Sequence, residues 1–187
     1  MNETLENIER RYSCRDFKSC LPSKEDLNAI ADSAIASPSG MNLQKWRIIV
    51  VTNRELLNDM EEEAMGILKG SEDNSAYERI KSRGGKVYYN APCMIIVAID
   101  TATEKDMTEV DCGIVCQNIA LAATSLGLGN VICGMAGLPF SGGRGEEFKE
   151  KFKFEKGYEF GMSVLVGYAN TGKEPHEHDK SKIIFIE

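Results

Sequence analysis

Two arginines and a serine stand at alternating positions near the start of the chain, as Arg11, Ser13 and Arg15. In an extended segment, residues two apart project to the same side, so this spacing brings two guanidiniums and a hydroxyl together. Guanidinium groups bind phosphate oxygens in a bidentate manner. The triplet therefore predicts a phosphate-binding segment. The plainer alternative is a solvated basic turn after a first helix.

A second group of polar residues occupies positions 37–44, directly before Trp46. Small hydroxyls, a glycine and two amides in a loop between a helix and a strand could hydrogen-bond a polar heterocycle. The same residue types dominate ordinary turns, so simple turn chemistry is the alternative. Near the other end of the chain, Lys180 and Lys182 could fold back toward an anion, or form a solvated basic end.

Composition restricts the class of protein. The chain has 187 residues, a mass of 20.7 kDa and a net charge of −7, which fits a single domain over 1–187. An acidic chain is a poor general binder of nucleic acid, and no apolar run approaches the roughly 20 residues of a membrane span. The N-terminus has no apolar signal region. We therefore expect a cytoplasmic protein with neither nucleic-acid nor membrane partners.

The six cysteines and two histidines do not form a recognisable metal motif. No C-x-x-C occurs, and the histidines are His176 and His178, which we expect at the surface. Without a secretion signal, reduced and mostly buried thiols are expected instead of disulfides. No metal site is predicted. Six thiols in one small chain do leave open a thiol-based redox response.

Hydrophobic periodicity predicts helices alternating with short strands. Ser23 should cap a helix that ends near Ser37, before Pro38. Further helices are expected over 5–12, 56–68 and 111–126 and around Phe148 and Phe152, and strands over 46–51, 94–99, 131–133, 160–168 and 183–186. The segment 69–86 is polar and poorly patterned, and is predicted to be a mobile, exposed lid. The expected fold class is α+β, with a mixed sheet between helices.

Taken in order, several short motifs resemble those of the FMN-dependent nitroreductase family. They span about residues 10–168 and are Arg11-x-Ser13-x-Arg15-x-Phe17, Ser37-Pro38-Ser39, Asn42-x-Gln44-x-Trp46, Asn90-Ala91-Pro92, Asp111-x-Gly113, Gln117-Asn118-Ile119-x-Leu121-x-Ala123 and Gly127-Leu128-Gly129. The resemblance implies a nitroreductase-like, mainly antiparallel mixed sheet flanked by helices, in an intertwined homodimer with FMN at the subunit interface. The C-terminal extension, 175–187, would carry its last strand across the dimer.

The resemblance also implies which residues bind the cofactor. Arg11, Ser13 and Arg15 would hold the phosphate and ribityl chain of FMN. The flavin would be lined by residues of the 37–44 loop, supplied by the other subunit, and backbone N–H groups near the end of the third strand would face the isoalloxazine. The candidate cofactor-binding residues are thus Arg11, Ser13, Arg15, Pro38, Ser39, Met41, Asn42, Cys133, Gly134, Lys180 and Lys182.

The implied activity passes a hydride from NADH or NADPH, through FMN, to a small-molecule acceptor such as a nitroaromatic, quinone or enone, in a ping-pong mechanism. The cofactor carries the chemistry, so no catalytic side chain is nominated. Lys45 stands where the family commonly has proline, and 69–86 matches no family motif, so the acceptor is not predicted. The alternatives are an FMN-binding protein without nicotinamide-dependent activity, or a flavin-free, thiol-based redox-responsive protein.

The phosphate assignment gives a first prediction. Arg11→Ala or Arg15→Ala should weaken FMN binding by about 2–3 kcal/mol, because a charge-assisted contact to the phosphate is lost. Titration of FMN fluorescence against apoprotein measures the affinity. Unchanged affinity in both variants would refute the phosphate role.

Overall fold

A computed structural model describes residues 2–101, 107–174 and 177–187. The helices in these ranges are α1 (Glu3–Arg10), α2 (Lys24–Ile35), α3 (Arg54–Gly70), α4 (Ser75–Lys81), α5 (Thr108–Ser125), α6 (Leu138–Ser141) and α7 (Gly145–Lys151). The strands are β1 (Trp46–Val51), β2 (Cys93–Asp100), β3 (Gly129–Ile132) and β4 (Tyr158–Gly167). Short 3-10 helices cover Gly40–Asn42, Gly134–Gly137 and Lys180–Lys182. None of the described helices is long and apolar enough to cross a lipid bilayer.

The four strands form one sheet in the order β1-β2-β4-β3, with every neighbouring pair antiparallel. Two isolated bridges add the segment after α1: Ser13 pairs in parallel with Asn130, and Phe17 pairs antiparallel with Ala169. The expected α+β class and mainly antiparallel sheet are confirmed. The single parallel bridge makes the sheet mixed, and it attaches the arginine segment to the edge strand β3.

Strand β2 separates two hydrophobic clusters. Met94 and Ile96 point into a cluster with α3, α6 and α7, whereas Cys93, Ile95 and Val97 point into a cluster with α2 and α5. All five side chains have no exposed surface. Alternation along a strand that is covered on both faces gives the continuous apolar run seen in the sequence.

Several predicted elements are confirmed with small shifts. Strand β1 has the predicted bounds, and Ser23 caps α2 by accepting a hydrogen bond from the backbone N–H of Asp26 at 3.0 Å. Helix α5 is central and buries Val115 and Ile119 as expected, but Leu126 lies beyond its last residue and is 41% exposed. Helix α1 ends at Arg10, so Arg11 already has extended backbone.

Two segments differ in part from the expectation. Residues 183–186 form no strand within the single chain; they follow a 3-10 helix, and their apolar side chains are 61–96% exposed. The strand expected to reach across the dimer involves a second copy and stays a prediction. The segment 69–86 is not irregular throughout, because it contains the end of α3 and the whole of α4. Its predicted mobility stays a prediction. Residues 175 and 176 of the C-terminal extension, including His176, lie outside the described ranges.

A buried carboxylate anchors the chain between α4 and β2. Glu61 on α3 accepts a hydrogen bond from the backbone N–H of Tyr88 at 3.0 Å, and its other oxygen lies 3.3 Å from the ammonium of Lys86. Tyr88 is itself buried, and its hydroxyl donates to the carbonyl of Met60 at 3.4 Å. This contact fixes where the residues after α4 stand relative to the core.

The cysteines are all free thiols, as expected. Five are buried, and Cys20 is exposed. Cys112 and Cys116 lie one turn apart on α5, within the apolar cluster that also contains Cys93. Burial raises the pKa of the Cys93 thiol to about 12. The Cys93 thiol is therefore both inaccessible and a poor nucleophile.

The Glu61 anchor gives a prediction for stability. Glu61→Ala should lower the free energy of unfolding by about 1–3 kcal/mol, because the buried N–H of Tyr88 loses its acceptor. Urea denaturation followed by circular dichroism measures the change. Glu62→Ala, at the exposed neighbouring position, is the matched control and should stay within about 0.5 kcal/mol of the parent chain. Equal effects of the two substitutions would contradict the anchoring role.

The burial of the thiols gives a second prediction. In native protein, an aromatic disulfide reagent such as DTNB should react with one thiol, that of Cys20, and with all six after denaturation. Cys20→Ser should abolish the native reaction. Rapid reaction of several thiols in the folded protein would show that the buried cysteines are accessible, and would favour a thiol-based redox role.

Candidate functional site

The arginine segment is held at the sheet by main-chain hydrogen bonds. The N–H of Cys14 donates to the carbonyl of Asn130 at 2.9 Å, and the N–H of Lys18 donates to the carbonyl of Tyr168 at 2.8 Å. Cys14 and Phe17 are buried beneath the segment, whereas Arg15 is exposed. The segment is therefore extended and fixed to the sheet, whereas the common orientation of Arg11, Ser13 and Arg15 stays a prediction.

Arg15 lines a cavity of about 660 Å³ on this side of the sheet. Three further cations line it, Arg79 on α4 and Arg83 and Lys86 in the turn that follows. The remaining lining residues are Asp16, Ile80, Gly84, Tyr89, Asn90 and Met135. We refer to this space as the basic cavity.

The guanidiniums of the basic cavity are not held in ion pairs. In the ranges that the structure describes, Arg15, Arg79 and Arg83 form none, and Asp16 accepts a hydrogen bond from the side-chain amide of Asn170 at 2.9 Å. Lys86 pairs with the carboxylate of Glu61. The pKa of Asp73 is lowered by hydrogen bonds from Ser75, with a smaller contribution from the charge of Arg79. The cavity thus has a surplus of positive charge within an acidic chain.

Two arginines outside the cavity are held in ion pairs. Arg144 binds Asp59 at 2.9 Å and Glu147 at 2.6 Å, and the hydrogen bonds that Asp59 accepts from Arg144 and Lys151 lower its pKa to about 2. Arg47 binds Glu155 at 2.8 Å. Arg10, by contrast, donates to the carbonyl of Thr124 and forms no ion pair among the described residues, so unpaired arginines are not confined to the cavity.

Two short segments have left-handed backbone in residues other than glycine. Tyr89 and Asn90, which line the cavity, have φ of 54° and 58°, and Met41, Asn42 and Gln44 have φ between 49° and 57°. Such conformations are uncommon for residues with side chains and cluster at functional sites. Both segments belong to the motifs that the sequence analysis singled out.

The loop after α2 is tied to the central helix. The N–H of Gly40 donates to both carboxylate oxygens of Asp111, at 3.1 and 3.2 Å, and the Asn118 amide donates to the Ser37 hydroxyl at 2.9 Å. Ser39 accepts a hydrogen bond from the N–H of Gln44. These contacts account for Asp111 and Asn118 on the otherwise apolar helix α5. They hold the loop in a conformation in which the Met41 side chain is 85% exposed.

The structure brings only part of the predicted cofactor set together. Arg15 lines the basic cavity, and Arg11 and Ser13 lie on the same extended segment without lining it. The loop residues Pro38, Ser39, Met41 and Asn42 do not line this cavity within one chain. Neither do Lys180 and Lys182, which lie in an exposed 3-10 helix where Lys182 is 3.7 Å from Asp179.

The segment around Cys133 differs from the expectation in one respect. The N–H of Cys133 donates to the carbonyl of Ser163 at 2.8 Å, so it is not available to a ligand. Burial raises the pKa of the Cys133 thiol, against the opposing effects of the Ala136 and Met135 N–H groups and of Arg15. Gly134 follows at the surface, and Met135 is the residue of this segment that reaches the cavity.

Sequence reasoning missed Arg79, Arg83 and Lys86. A signal was present, because four basic residues, including Lys81, fall within positions 79–86. This cluster of basic residues was overlooked because 69–86 was predicted to be a mobile, exposed segment. The cluster becomes part of a site only when α4 and the turn after it are placed next to Arg15. Over the described ranges, no group of His, Cys, Asp or Glu side chains is arranged to hold a metal ion.

Solved structures share this fold across their whole length. A nitroreductase from Desulfitobacterium hafniense DCB-2, crystallised with bound FMN, is 57% identical, covers 100% of both chains and superposes with a TM-score of 0.96. A nitroreductase from Bacteroides fragilis NCTC 9343, also with bound FMN, is 26% identical, covers 100% of both chains and has a TM-score of 0.91.

Curated relatives match the chain over part of their length. A protein from Methanothermobacter thermautotrophicus, whose name includes NADH dehydrogenase/NAD(P)H nitroreductase, is 35% identical over 135 residues, which are 71% of this chain and 61% of that protein. The match therefore spans less than two thirds of that relative. The model of the nitroreductase family matches residues 8–168. On this match, and on the shared fold, the chain belongs to the nitroreductase family.

Proposed function

We propose that the protein is an FMN-dependent oxidoreductase that takes a hydride from NADH or NADPH and passes it to a small-molecule acceptor by a ping-pong mechanism. Nitroaromatics, quinones and enones are the acceptor classes. The observation that carries the proposal is the basic cavity, with three unpaired arginines, in a chain of the nitroreductase family. Bound FMN is named for the relatives from D. hafniense and B. fragilis.

The residues fit a phosphorylated flavin. The phosphate of FMN carries about two negative charges at neutral pH, and a guanidinium binds such a group bidentately. Arg11, Ser13 and Arg15 are the residues we assign to the phosphate and ribityl chain, because they share one extended segment that main-chain hydrogen bonds hold to the sheet. The apolar surfaces of Tyr89 and Met135 beside Arg15 suit a planar ring system.

When bound, FMN supplies the hydride chemistry, because it accepts and returns two electrons. The contribution of the chain is to bind, orient and exclude water. Asp111 holds the 39–44 loop through Gly40, and Glu61 holds the turn that carries Lys86. Ser163 keeps the Cys133 carbonyl and N–H paired, and so stiffens the backbone that leads to Met135.

A homodimer is part of the proposal. Several apolar side chains are exposed in the single chain, among them Met41 at 85%, Val110 at 51% and Ile184 at 83%. A second copy would cover them, and would bring the loop that includes Pro38, Ser39, Met41 and Asn42 toward the basic cavity. Lys180 and Lys182 would reach the phosphate by the same route. Large apolar side chains that are exposed in one chain mark an interaction site where they form a contiguous patch, and the proposed dimer would cover such a patch.

The proposed function predicts the behaviour of the purified protein. It should have a flavin absorption spectrum, and NADH or NADPH should bleach it under anaerobic conditions. A yellow protein that neither nucleotide bleaches would refute the nicotinamide-dependent activity and leave flavin binding. A colourless protein that takes up no added FMN would refute both.

The ping-pong part is tested on the same preparation. Initial rates with NADH and menadione, each varied against the other, should give parallel double-reciprocal lines, because donor and acceptor use one site in turn. Intersecting lines would exclude a single shared site.

A further inference from the structure

The basic cavity has more positive charge than the proposed phosphate site requires. Arg11, Ser13 and Arg15 supply that site from the segment after α1, whereas Arg79, Arg83 and Lys86 belong to a separate element, α4 and its turn. We call these three cations the α4 wall. They line the same cavity as Arg15 without belonging to the phosphate segment.

We propose that the α4 wall binds a carboxylate or phosphate group of the electron acceptor, so that this chain prefers anionic aromatic acceptors to neutral ones. The inference rests on the proposed function and names a substrate class for it. A cation that is not held in an ion pair is available to a ligand. Among the described residues neither Arg79 nor Arg83 forms an ion pair, although Arg79 lies near enough to Asp73 to make a minor contribution to the lowered pKa of that carboxyl.

The placement of the wall is set by contacts outside the cavity. Ile80, between the two arginines, packs against the core, and the N–H of Gly85 donates to its carbonyl at 3.0 Å. Gly84 and Gly85 have φ of 96° and 72°, which glycine adopts without strain, and Glu61 then fixes Lys86 and Tyr88. The backbone that carries the cations, and the ammonium of Lys86, are therefore positioned before a ligand arrives, which reduces the ordering cost of binding.

The other side of the cavity explains why the anion should be aromatic. Ile80 provides apolar surface next to the guanidiniums, and the flavin ring that the proposed function places against Tyr89 and Met135 would provide aromatic surface beside it. A ligand that stacks a ring on this surface and directs an anionic group to the α4 wall satisfies both halves of the lining. A neutral quinone or nitroaromatic satisfies only the apolar half.

The test measures the acceptor half-reaction of the FMN-loaded protein. The protein is reduced photochemically and mixed anaerobically with 4-nitrobenzoate or with methyl 4-nitrobenzoate, a neutral ester of similar shape. The second-order rate constant should favour the carboxylate by roughly tenfold or more, as expected for one charge-assisted contact. In Arg79→Ala and Arg83→Ala the preference should fall severalfold, and in Arg79→Lys it should be largely retained.

Lys81→Ala is the matched control. Lys81 is an exposed cation on the same helix that does not line the cavity, and its ammonium lies 5.6 Å from the ring centroid of Tyr77. Its removal changes the net charge as much as the other substitutions do. The preference for the carboxylate should survive in Lys81→Ala. If the preference for the carboxylate fell equally in Arg79→Ala, Arg83→Ala and Lys81→Ala, it would arise from long-range electrostatics and not from a binding site, and the proposal would be overturned.

An equilibrium measurement gives a readout that does not depend on turnover. Benzoate should perturb the flavin absorption of the oxidised protein at lower concentration than benzamide does, and this difference should be lost in Arg83→Ala. Equal affinities in the parent protein would overturn the proposal.

Two further outcomes assign the wall to another ligand and would also overturn the proposal. Weaker FMN binding in Arg79→Ala and Arg83→Ala, with the acceptor preference intact, would assign it to the cofactor. Slower reduction by NADH or NADPH, with the preference intact, would assign it to the donor.

A parent protein that binds FMN and is bleached by NADH or NADPH, but shows no preference between the two acceptors, refutes this inference alone. A parent protein without flavin refutes the proposed function.

Discussion

The pairing of β2 with strands on both sides is the constraint on which the rest of the fold depends. It fixes six residues against β1 and eight against β4, and its two faces supply the centres of both hydrophobic clusters. A strand that is buried on every side has no surface left for chemistry. Ligand-binding groups must therefore lie at the periphery of the sheet, and the arginine segment, the edge strand β3 and the turn after α4 meet there.

Charge is distributed unevenly over this frame. The chain has a net charge of −7. On the surface formed by α3 and α7, Arg144 is held in ion pairs with Asp59 and Glu147. Around the basic cavity, Asp16 accepts a hydrogen bond from Asn170, and Glu61 divides its two oxygens between the N–H of Tyr88 and the ammonium of Lys86. The arginines of the cavity thus keep a local positive potential within an acidic protein, which lets this face attract anions.

The sequence predicted those elements whose signals are local. The bounds of β1 and the Ser23 cap both follow from neighbouring residues. The α4 wall could not be recognised in this way, since it depends on a short helix folding back against a segment more than 60 positions earlier. The pairing of the Cys133 N–H with the carbonyl of Ser163 likewise depends on how β3 and β4 meet in the folded chain.

The residues with left-handed backbone near Met41 and Tyr89 lower the stability of the folded chain, and in return they restrict the conformations of the two loops before a ligand binds. A non-glycine residue in this region costs of order 1–3 kcal/mol, and five such residues lie in the two motif segments, away from the buried strands. Glycine at these positions would relieve strain in the folded chain, yet it would also widen the range of shapes the loops sample before a ligand binds. Selection for heat resistance would thus tend to act on the same few positions as selection for binding, and progress in one would be limited by loss in the other.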